Sequence, residues 1–282
     1  MSDHRPEPPS DPTRQSGSPS YDEARAALDD PTSSAERLLG AGNGLRGAFA
    51  RSDHLIGLLP PDAFDVMLEA YRRADAAGSR EGALVWVQHA YFERLDGLAD
   101  AAAARVDTLA QDDPDGTAHL LRGWMRFNGF GFARDGAAAV ADHEAAAARG
   151  HAAADFELSV LFGTGQGVPV DEERSLRHLR AAAEKDHPRA LYNLAASHAT
   201  GRGVPLDAAR ALELYVRAAE HGHAGAAFTA GVMVLTGEGT APDPAMAGEL
   251  FAEAQDLGLD VEEQLATFPP PLRDRALAAL RS

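Results

Sequence analysis

The sequence contains no cysteine, which excludes disulfides, thiolate zinc sites and cysteine catalysis. It also lacks any apolar run near the ~18 residues that a membrane-spanning helix needs. The first twenty residues are polar and rich in proline, without the apolar stretch of a secretory signal. These absences predict a cytoplasmic protein that does not cross a membrane.

Positive charge is scarce, because 26 Lys and Arg stand against 43 Asp and Glu and the formal net charge is −17. An acidic chain is repelled by nucleic acid and by anionic membranes, so neither is an expected partner. Aromatic residues make up only 6% of the chain, whereas hydrophobic residues as a whole reach 45%. The core is therefore expected to consist of many small side chains.

The most prominent feature present is a repeat with a period of 36 residues. Pairs of glycines and single columns of aspartate and histidine recur at this spacing. They are Gly129/Gly131, Gly165/Gly167, Gly201/Gly203 and Gly237/Gly239; Asp135, Asp171, Asp207 and Asp243; and His151, His187 and His223. A period of about 20–50 residues is typical of a stacked array of similar units.

Each repeat unit predicts a hairpin of two helices. In residues 190–225 an apolar helical stretch ends at Gly201, and Asp207 can cap a second helix that ends at Gly222. The paired glycines suit a backbone that adopts left-handed dihedral angles between two antiparallel helices. One hairpin cannot bury its own apolar face, whereas stacked copies can. The predicted fold is all-α, an α/α solenoid of helical hairpins.

The repeat pattern divides the chain into regions. The predicted regions are a disordered tail at 1–20, an N-terminal helical segment with a degenerate repeat or cap at 21–81, a repeat array at 82–260 and a C-terminal capping helix at 261–282. The units of the array are 82–117, which is degenerate and lacks the Gly-x-Gly break, then 118–153, 154–189, 190–225 and 226–260. In the N-terminal segment, the glycine-rich residues 41–44 are expected to end a helix.

One unit shows the full pattern, which reads Ala190-x3-Leu194-x6-Gly201-x-Gly203-Val204-x2-Asp207-x3-Ala211-x6-Ala218-Ala219-x2-Gly222-His223. This pattern resembles the Sel1-like repeat, a relative of the tetratricopeptide repeats. Residues 154–187 and 226–259 match it well, whereas 118–151 departs more, with Arg122 at the usual leucine. The resemblance implies a non-catalytic platform for assembling other proteins, of the kind that occurs in bacterial secretion, envelope and toxin-immunity systems.

The recurring polar residues favour structural roles over catalysis. A zinc ion needs ligands at ~2 Å, whereas equivalent histidines of stacked units should lie roughly 8–10 Å apart. We therefore interpret the histidine column as closing the C-terminus of each second helix, where positive charge suits the helix dipole. The loop at 163–167 lacks the Lys-Ser/Thr of a phosphate-binding loop. The four aspartates are interpreted as helix caps, so the sequence predicts no catalytic residue, metal site or cofactor.

The candidate partner-binding residues lie on the first helix of each unit. Positions 3, 7 and 10 from the opening alanine share one helical face, and the resemblance implies that they line the concave surface of the array. The predicted residues are Leu120, Trp124, Phe127, Phe156, Val160, Tyr192, Phe228 and Val232, together with Arg122 and Arg126. The two arginines replace a leucine and an aromatic residue, so they either face a carboxylate of a partner or mark a weak unit. Core packing alone also explains the apolar stripe, so groove and core remain alternatives.

The predicted function is that of a cytoplasmic, non-catalytic scaffold or adaptor. It is expected to be monomeric, to bind a peptide or protein on the concave face, and to take no small-molecule substrate. The alternative is an immunity or inhibitor protein whose acidic surface masks a basic effector. An enzyme would need a deep polar pocket, and the repeat pattern offers no candidate for one.

Overall fold

The computed structural model describes residues 19–50 and 60–281. Over these residues the chain is entirely helical and contains no strand, which confirms the predicted all-α fold. It divides after Leu109 into two compact units, an N-terminal unit and a C-terminal unit that begins at Ala110. The predicted tail lies outside the described residues, apart from Pro19 and Ser20, which begin the first helix.

The N-terminal unit contains α1 (Pro19–Asp29), α2 (Ala35–Ala50), α3 (Ala63–Ala76), α4 (Arg80–Phe92) and most of α5 (Ala99–Gln111). The C-terminal unit contains α6 (Thr117–Asn128), α7 (Gly136–Ala147), α8 (Ala152–Thr164), α9 (Glu172–Glu184), α10 (Pro188–Thr200), α11 (Ala208–Glu220), α12 (Ala224–Thr236), α13 (Pro244–Asp256), α14 (Val261–Ala266) and α15 (Pro270–Leu280).

The expected helix end at residues 41–44 is wrong, because α2 runs through these residues to Ala50. Gly42 lies against the ring of Tyr71 on α3, where an added Cβ would be 2.8 Å from the ring Cε1. The Tyr71 hydroxyl donates a hydrogen bond to Asn43 Oδ1 at 2.8 Å. The glycine is therefore a packing notch that lets two helices approach, and this long-range contact overrides its local tendency to end a helix.

Two glycines only two residues apart in α2 are expected to respond oppositely to alanine. Gly42→Ala should lower the free energy of unfolding by about 1–3 kcal/mol, since it forces the buried Tyr71 ring to move. Gly40 has no atom within 4 Å of an added Cβ. Gly40→Ala should therefore raise stability by about 0.5–1 kcal/mol through helix propensity. Urea unfolding of the two variants checks the pair, and equal effects would contradict the notch.

Asp75 joins three helices of the N-terminal unit. It accepts a hydrogen bond from Trp86 Nε1 on α4 at 2.7 Å. Arg105 on α5 binds the same carboxylate with Nη2 at 2.6 Å and Nε at 2.9 Å. The connection between α4 and α5 has no left-handed glycine after its first helix. Instead, Arg94 there adopts a positive φ of 54°. Charge-assisted hydrogen bonds thus hold the region that the sequence marks as degenerate.

The C-terminal unit contains four hairpins, α6–α7, α8–α9, α10–α11 and α12–α13. The turn between the two helices, here called the corner, has the same structure in each. Each first helix ends at a left-handed glycine with φ between 71° and 83°. The aspartate that follows caps the second helix, its carboxylate accepting from a backbone N–H in the first turn at 2.9–3.1 Å. Both predicted roles, glycine turn and aspartate cap, are confirmed.

In two pairs of neighbouring hairpins the corners touch. A Cβ added to Gly136, the first residue of α7, would overlap the backbone of Gly167 in the next corner. A Cβ on Gly239 would likewise overlap the carbonyl of Ala208 at the start of α11. Only glycine allows such backbone approach, so in these two pairs of hairpins the corners lie side by side, as stacked hairpins require. A Cβ on Gly203, in the third hairpin, would meet no atom within 4 Å.

The core uses small side chains, as the composition predicts. Alanines on every hairpin are completely buried, and glycines on the first helices provide notches for large rings of the second helices. A Cβ on Gly231 would lie 2.8 Å from the Phe251 ring, and one on Gly123 would lie 2.5 Å from the His143 ring. Close helix packing therefore depends on pairing a residue without a side chain with a large one.

The last helix of the described residues, α15, packs against α13. Gly248 on α13 meets the carbonyl of Ala279 on α15, where a Cβ would overlap. Arg275 Nη2 donates to the carbonyl of Leu235 at 2.7 Å, near the C-terminus of α12. This helix covers the last hairpin, an arrangement that an open-ended array needs.

Candidate partner-binding face

Six of the eight predicted apolar residues are half-buried. They are Trp124, Phe127, Val160, Tyr192, Phe228 and Val232. Leu120 and Phe156, in contrast, are only 4% and 3% exposed and belong to the core. We name the six half-buried residues the first-helix face, since they project from α6, α8, α10 and α12.

Side-chain contacts link the first helices of successive hairpins near this face. The Trp124 indole N–H donates to the Glu157 carboxylate, which links α6 to α8. Arg189 on α10 lies over the Phe156 ring of α8, with its Cζ 4.7 Å from the ring centroid. Farther along, Tyr192 and Phe228 pack against the same core cluster. Side-chain contacts thus link α6 to α8 and α8 to α10, and α10 and α12 share one core cluster.

The histidines of the repeat column do not have the role predicted for their side chains. The backbone N–H groups of His187 and His223 close the preceding helix, bonding to Ala182 at 3.1 Å and Ala218 at 3.0 Å. Their side chains, however, cap the following helix, so the proposed interaction of a positive ring with a C-terminal dipole is wrong. Burial lowers the pKa of both rings, which favours the neutral form.

Each capping ring also stacks on an aromatic residue of the preceding unit. His187 stacks on Phe156 with centroids 4.8 Å apart, and His223 stacks on Tyr192 at 4.5 Å. Tyr192 belongs to the first-helix face and Phe156 lies just beneath it. The histidines therefore fix where these two rings sit.

Glu157 is a polar residue of this region that the sequence analysis missed. It is half-buried on α8, and burial raises the pKa of its carboxyl group against the opposing effects of Trp124 and Arg189. The same repeat position holds the uncharged Leu121, Asn193 and Thr229. The sequence does contain a signal for Glu157, because it is a charged residue at a repeat position that is uncharged in the other three units.

Arg122 and Arg126 do bind a carboxylate, but it belongs to the same hairpin. Asp142 on α7 accepts from Arg122 Nε at 2.9 Å and Nη2 at 2.5 Å, and from Arg126 Nη1 at 2.9 Å. Asp142 is 3% exposed. The two arginines therefore hold α6 to α7, a role that accounts for their departure from the repeat pattern.

The first helices carry little of the chain's negative charge. Across α6, α8, α10 and α12 there are three arginines and only two acidic residues, Asp155 and Glu157. Asp155 is buried and binds His178 Nδ1 at 2.9 Å and Lys185 Nζ at 2.7 Å. The first-helix face is thus apolar and close to neutral in a protein of net charge −17.

The described residues offer no metal centre, because they contain no group of three or more His, Asp or Glu side chains that could hold an ion. A shallow, open depression between α13 and α14 is lined by Gln255, Gly258, Leu259, Asp260, Glu262 and Glu263. It contains none of the predicted binding residues. Nor does any helix in the described part of the chain have the length and apolarity to cross a bilayer.

The stacked two-helix units define an α/α-solenoid repeat protein. Three consecutive stretches, 152–187, 188–223 and 224–259, match the Sel1 repeat. These matches cover residues 152–259, which are therefore similar to Sel1 repeats. The matched residues do not include 118–151, whose hairpin α6–α7 nevertheless has the same glycine corner and aspartate cap.

Solved structures with the same fold include a Sel1 repeat protein from Oxalobacter formigenes, which is 24% identical and covers 86% of this chain and 67% of its own, with a TM-score of 0.67. Two immunity proteins from Pseudomonas aeruginosa are similar too. One is 17% identical with a TM-score of 0.54, covering 83% of this chain and 87% of its own. The other is 19% identical with a TM-score of 0.51, covering 85% and 87%.

At these levels of identity the likeness shows the fold alone. Among curated proteins, none matches the sequence of this chain.

Proposed function

We propose that the C-terminal unit is a non-catalytic protein-binding platform and that its first-helix face receives a segment of a partner protein. The proposal rests chiefly on the row of half-exposed aromatic and aliphatic side chains along four consecutive helices. Sel1 repeats are typical of protein-interaction scaffolds, which supports the same function. Aromatic side chains on such surfaces supply much of the binding energy in protein recognition. The proposal includes a monomeric chain in the cytoplasm.

The charge of this face indicates the chemistry of the segment. An apolar, nearly neutral surface gains little from a strongly charged partner, so the segment should itself be apolar. Binding driven by apolar burial is only weakly sensitive to salt, because screening acts on exposed charges. The affinity should therefore change little between low and high ionic strength.

Removing three rings of the face tests the proposal. The triple variant Trp124→Ala/Tyr192→Ala/Phe228→Ala should weaken binding of a partner isolated from the source cells by at least about 100-fold, since each ring contributes on the order of 1–2 kcal/mol. Phe156 is left unchanged because it is buried and its removal would damage the core. Isothermal titration calorimetry with purified partner gives the affinity.

A matched control removes apolar surface elsewhere. Val170 and Leu206 are 58% and 69% exposed in the corner loops, away from the first helices. The double variant Val170→Ala/Leu206→Ala should bind like the unchanged chain. A triple variant that keeps full affinity, with unchanged helix content, would eliminate the face as the binding site.

The second candidate function is that of an immunity or inhibitor protein for a basic effector. Two similar solved structures are immunity proteins. Residues 218–272 also carry nine Asp and Glu and no Lys or Arg, so negative charge is concentrated on the last hairpin and α14. A basic partner would bind there with strong salt dependence.

Salt dependence separates the two candidates. Binding that weakens steeply between about 50 and 500 mM salt, and that is lost in Glu262→Gln/Glu263→Gln, would favour the acidic surface. Both side chains are exposed, so these changes should leave the fold intact. Weak salt dependence together with loss in the triple variant would favour the first-helix face.

A further inference from the structure

His187 and His223 occupy equivalent positions in consecutive repeats, and each ring makes two contacts, a helix cap and an aromatic stack. His223 Nδ1 accepts from the backbone N–H of Ala226 at 3.1 Å, and His187 Nδ1 accepts from that of Ala190 at 3.4 Å. The opposite side of each ring carries the aromatic stack described above. One imidazole therefore connects the start of a first helix to a ring of the unit before it.

Accepting a hydrogen bond at Nδ1 requires a neutral ring with its proton on Nε2. Protonation of Nδ1 removes the acceptor and places a positive charge at a helix N-terminus, where the helix dipole disfavours it. The cap can thus exist only in the deprotonated form.

We propose that His187 and His223 are proton-sensitive positioning residues for the first-helix face, and that their protonation releases the caps of α10 and α12 together with the rings of Phe156 and Tyr192. The inference rests on the proposed function for the role of that face. The consequence is that mild acid loosens the surface that receives the partner.

The charged groups around the two rings also favour their neutral form. Arg189 on α10 disfavours protonation of both, and His151, at the start of α8, adds to the effect on His187. Burial is the largest cause that lowers both pKa values. The capping contribution is therefore fully present above the ordinary histidine pKa of ~6.5 and is lost as the pH falls through the lower folded-state pKa.

Two other histidines define the controls. His151 occupies the equivalent position before α8, but its side chain makes no cap hydrogen bond. His143 is buried in the notch at Gly123, and burial lowers its pKa to about 4, so it stays largely neutral between pH 7.5 and 5.5. Changes within that window can therefore be assigned to other groups.

The experiment uses the full chain without a partner, so its outcome does not depend on the proposed binding function. Imidazole ¹⁵N NMR and amide exchange are followed from pH 7.5 to 5.5. At pH 7.5 both rings should show an unprotonated Nδ1. As they protonate, the protection factors of the Ala190 and Ala226 amides should fall by about fivefold, because each amide loses its side-chain cap and keeps only the bond to the carbonyl of the same histidine.

Asparagine caps a helix without titrating. His187→Asn/His223→Asn should therefore keep both protection factors within about twofold across the same pH range, whereas His151→Asn should respond like the unchanged chain. Arg189→Gln should move the midpoints of both His187 and His223 to higher pH.

Three results would each overturn the inference. They are a proton on Nδ1 at pH 7.5, an equal loss of protection in the double asparagine variant, and unchanged midpoints in Arg189→Gln. If the asparagine variant has lost helix content at pH 7.5, the Arg189→Gln titration still decides the matter.

Discussion

Replacing Asp142 with leucine is expected to lower the free energy of unfolding of the C-terminal unit by about 3 kcal/mol. The carboxylate is buried and accepts three hydrogen bonds from Arg122 and Arg126. Its removal leaves two guanidinium groups, whose side chains are 17% and 25% exposed, without this acceptor. The estimate is at the lower end of the range for breaking a buried pair, because both arginines can partly reach solvent.

A second substitution, taken from another repeat of the same chain, should restore the lost stability. The positions of Arg122 and Asp142 correspond to Leu194 and Leu214 in hairpin α10–α11, both of which are buried. Arg122→Leu/Asp142→Leu should therefore recover stability to within about 1 kcal/mol of the original chain, since a hydrophobic pair often replaces a buried ion pair without loss. Arg126 remains and still has the Phe132 ring 5.2 Å from its Cζ.

Urea unfolding followed by circular dichroism measures the three chains, and hydrogen exchange assigns the loss to α6 and α7. The control is Asp186→Asn, which weakens the exposed pair with Arg217, whose side chains are 41% and 37% exposed. It should cost less than about 1 kcal/mol. A single Asp142→Leu chain as stable as the original would show that the buried carboxylate is dispensable.

The second large effect is expected from Gly248→Ala, which should displace α15 from α13. The added methyl group would overlap the backbone carbonyl of Ala279, and no flexible side chain can move aside to accommodate it. We expect a loss of about 2–3 kcal/mol, at the upper end of the usual overpacking cost. The loss should be accompanied by faster hydrogen exchange across Pro270–Leu280.

Glu249→Ala provides a control at the neighbouring, exposed position of the same helix. It should leave α15 as protected as before. If Gly248→Ala exchanged no faster over α15 than this control, the close contact between α13 and α15 would be refuted.

The hairpins were predictable because their signals are local. A left-handed glycine and a capping aspartate each act within a few residues, so their 36-residue spacing sufficed to define the corners of α6–α7 through α12–α13. The same local rule failed at residues 41–44, where a distant partner, Tyr71, decides the outcome. Glycine marks both a turn and a notch, and the sequence does not distinguish them.

The candidate face was predictable only in outline. Helical spacing predicts which side chains share one face of a helix, but their exposure depends on what covers them. Phe156 is covered by both His187 and Arg189 and is buried. Tyr192 has the equivalent stack with His223 but Gly225 in place of the arginine, and it stays half-buried. The partner of Arg122 was likewise out of reach, because Asp142 lies on the second helix of the hairpin.

The uneven distribution of carboxylates has a further consequence for how the protein meets other molecules. Residues 218–272 contain nine Asp and Glu and no Lys or Arg, and residues 273–281 add three arginines and one aspartate, so this part of the C-terminal unit carries a net negative charge. In the field of a positively charged molecule, the unit would rotate during diffusion until its last hairpin faces that molecule. First encounters would then be end-on, and a partner that needs the row of aromatic rings would have to move along the solenoid before it could engage them.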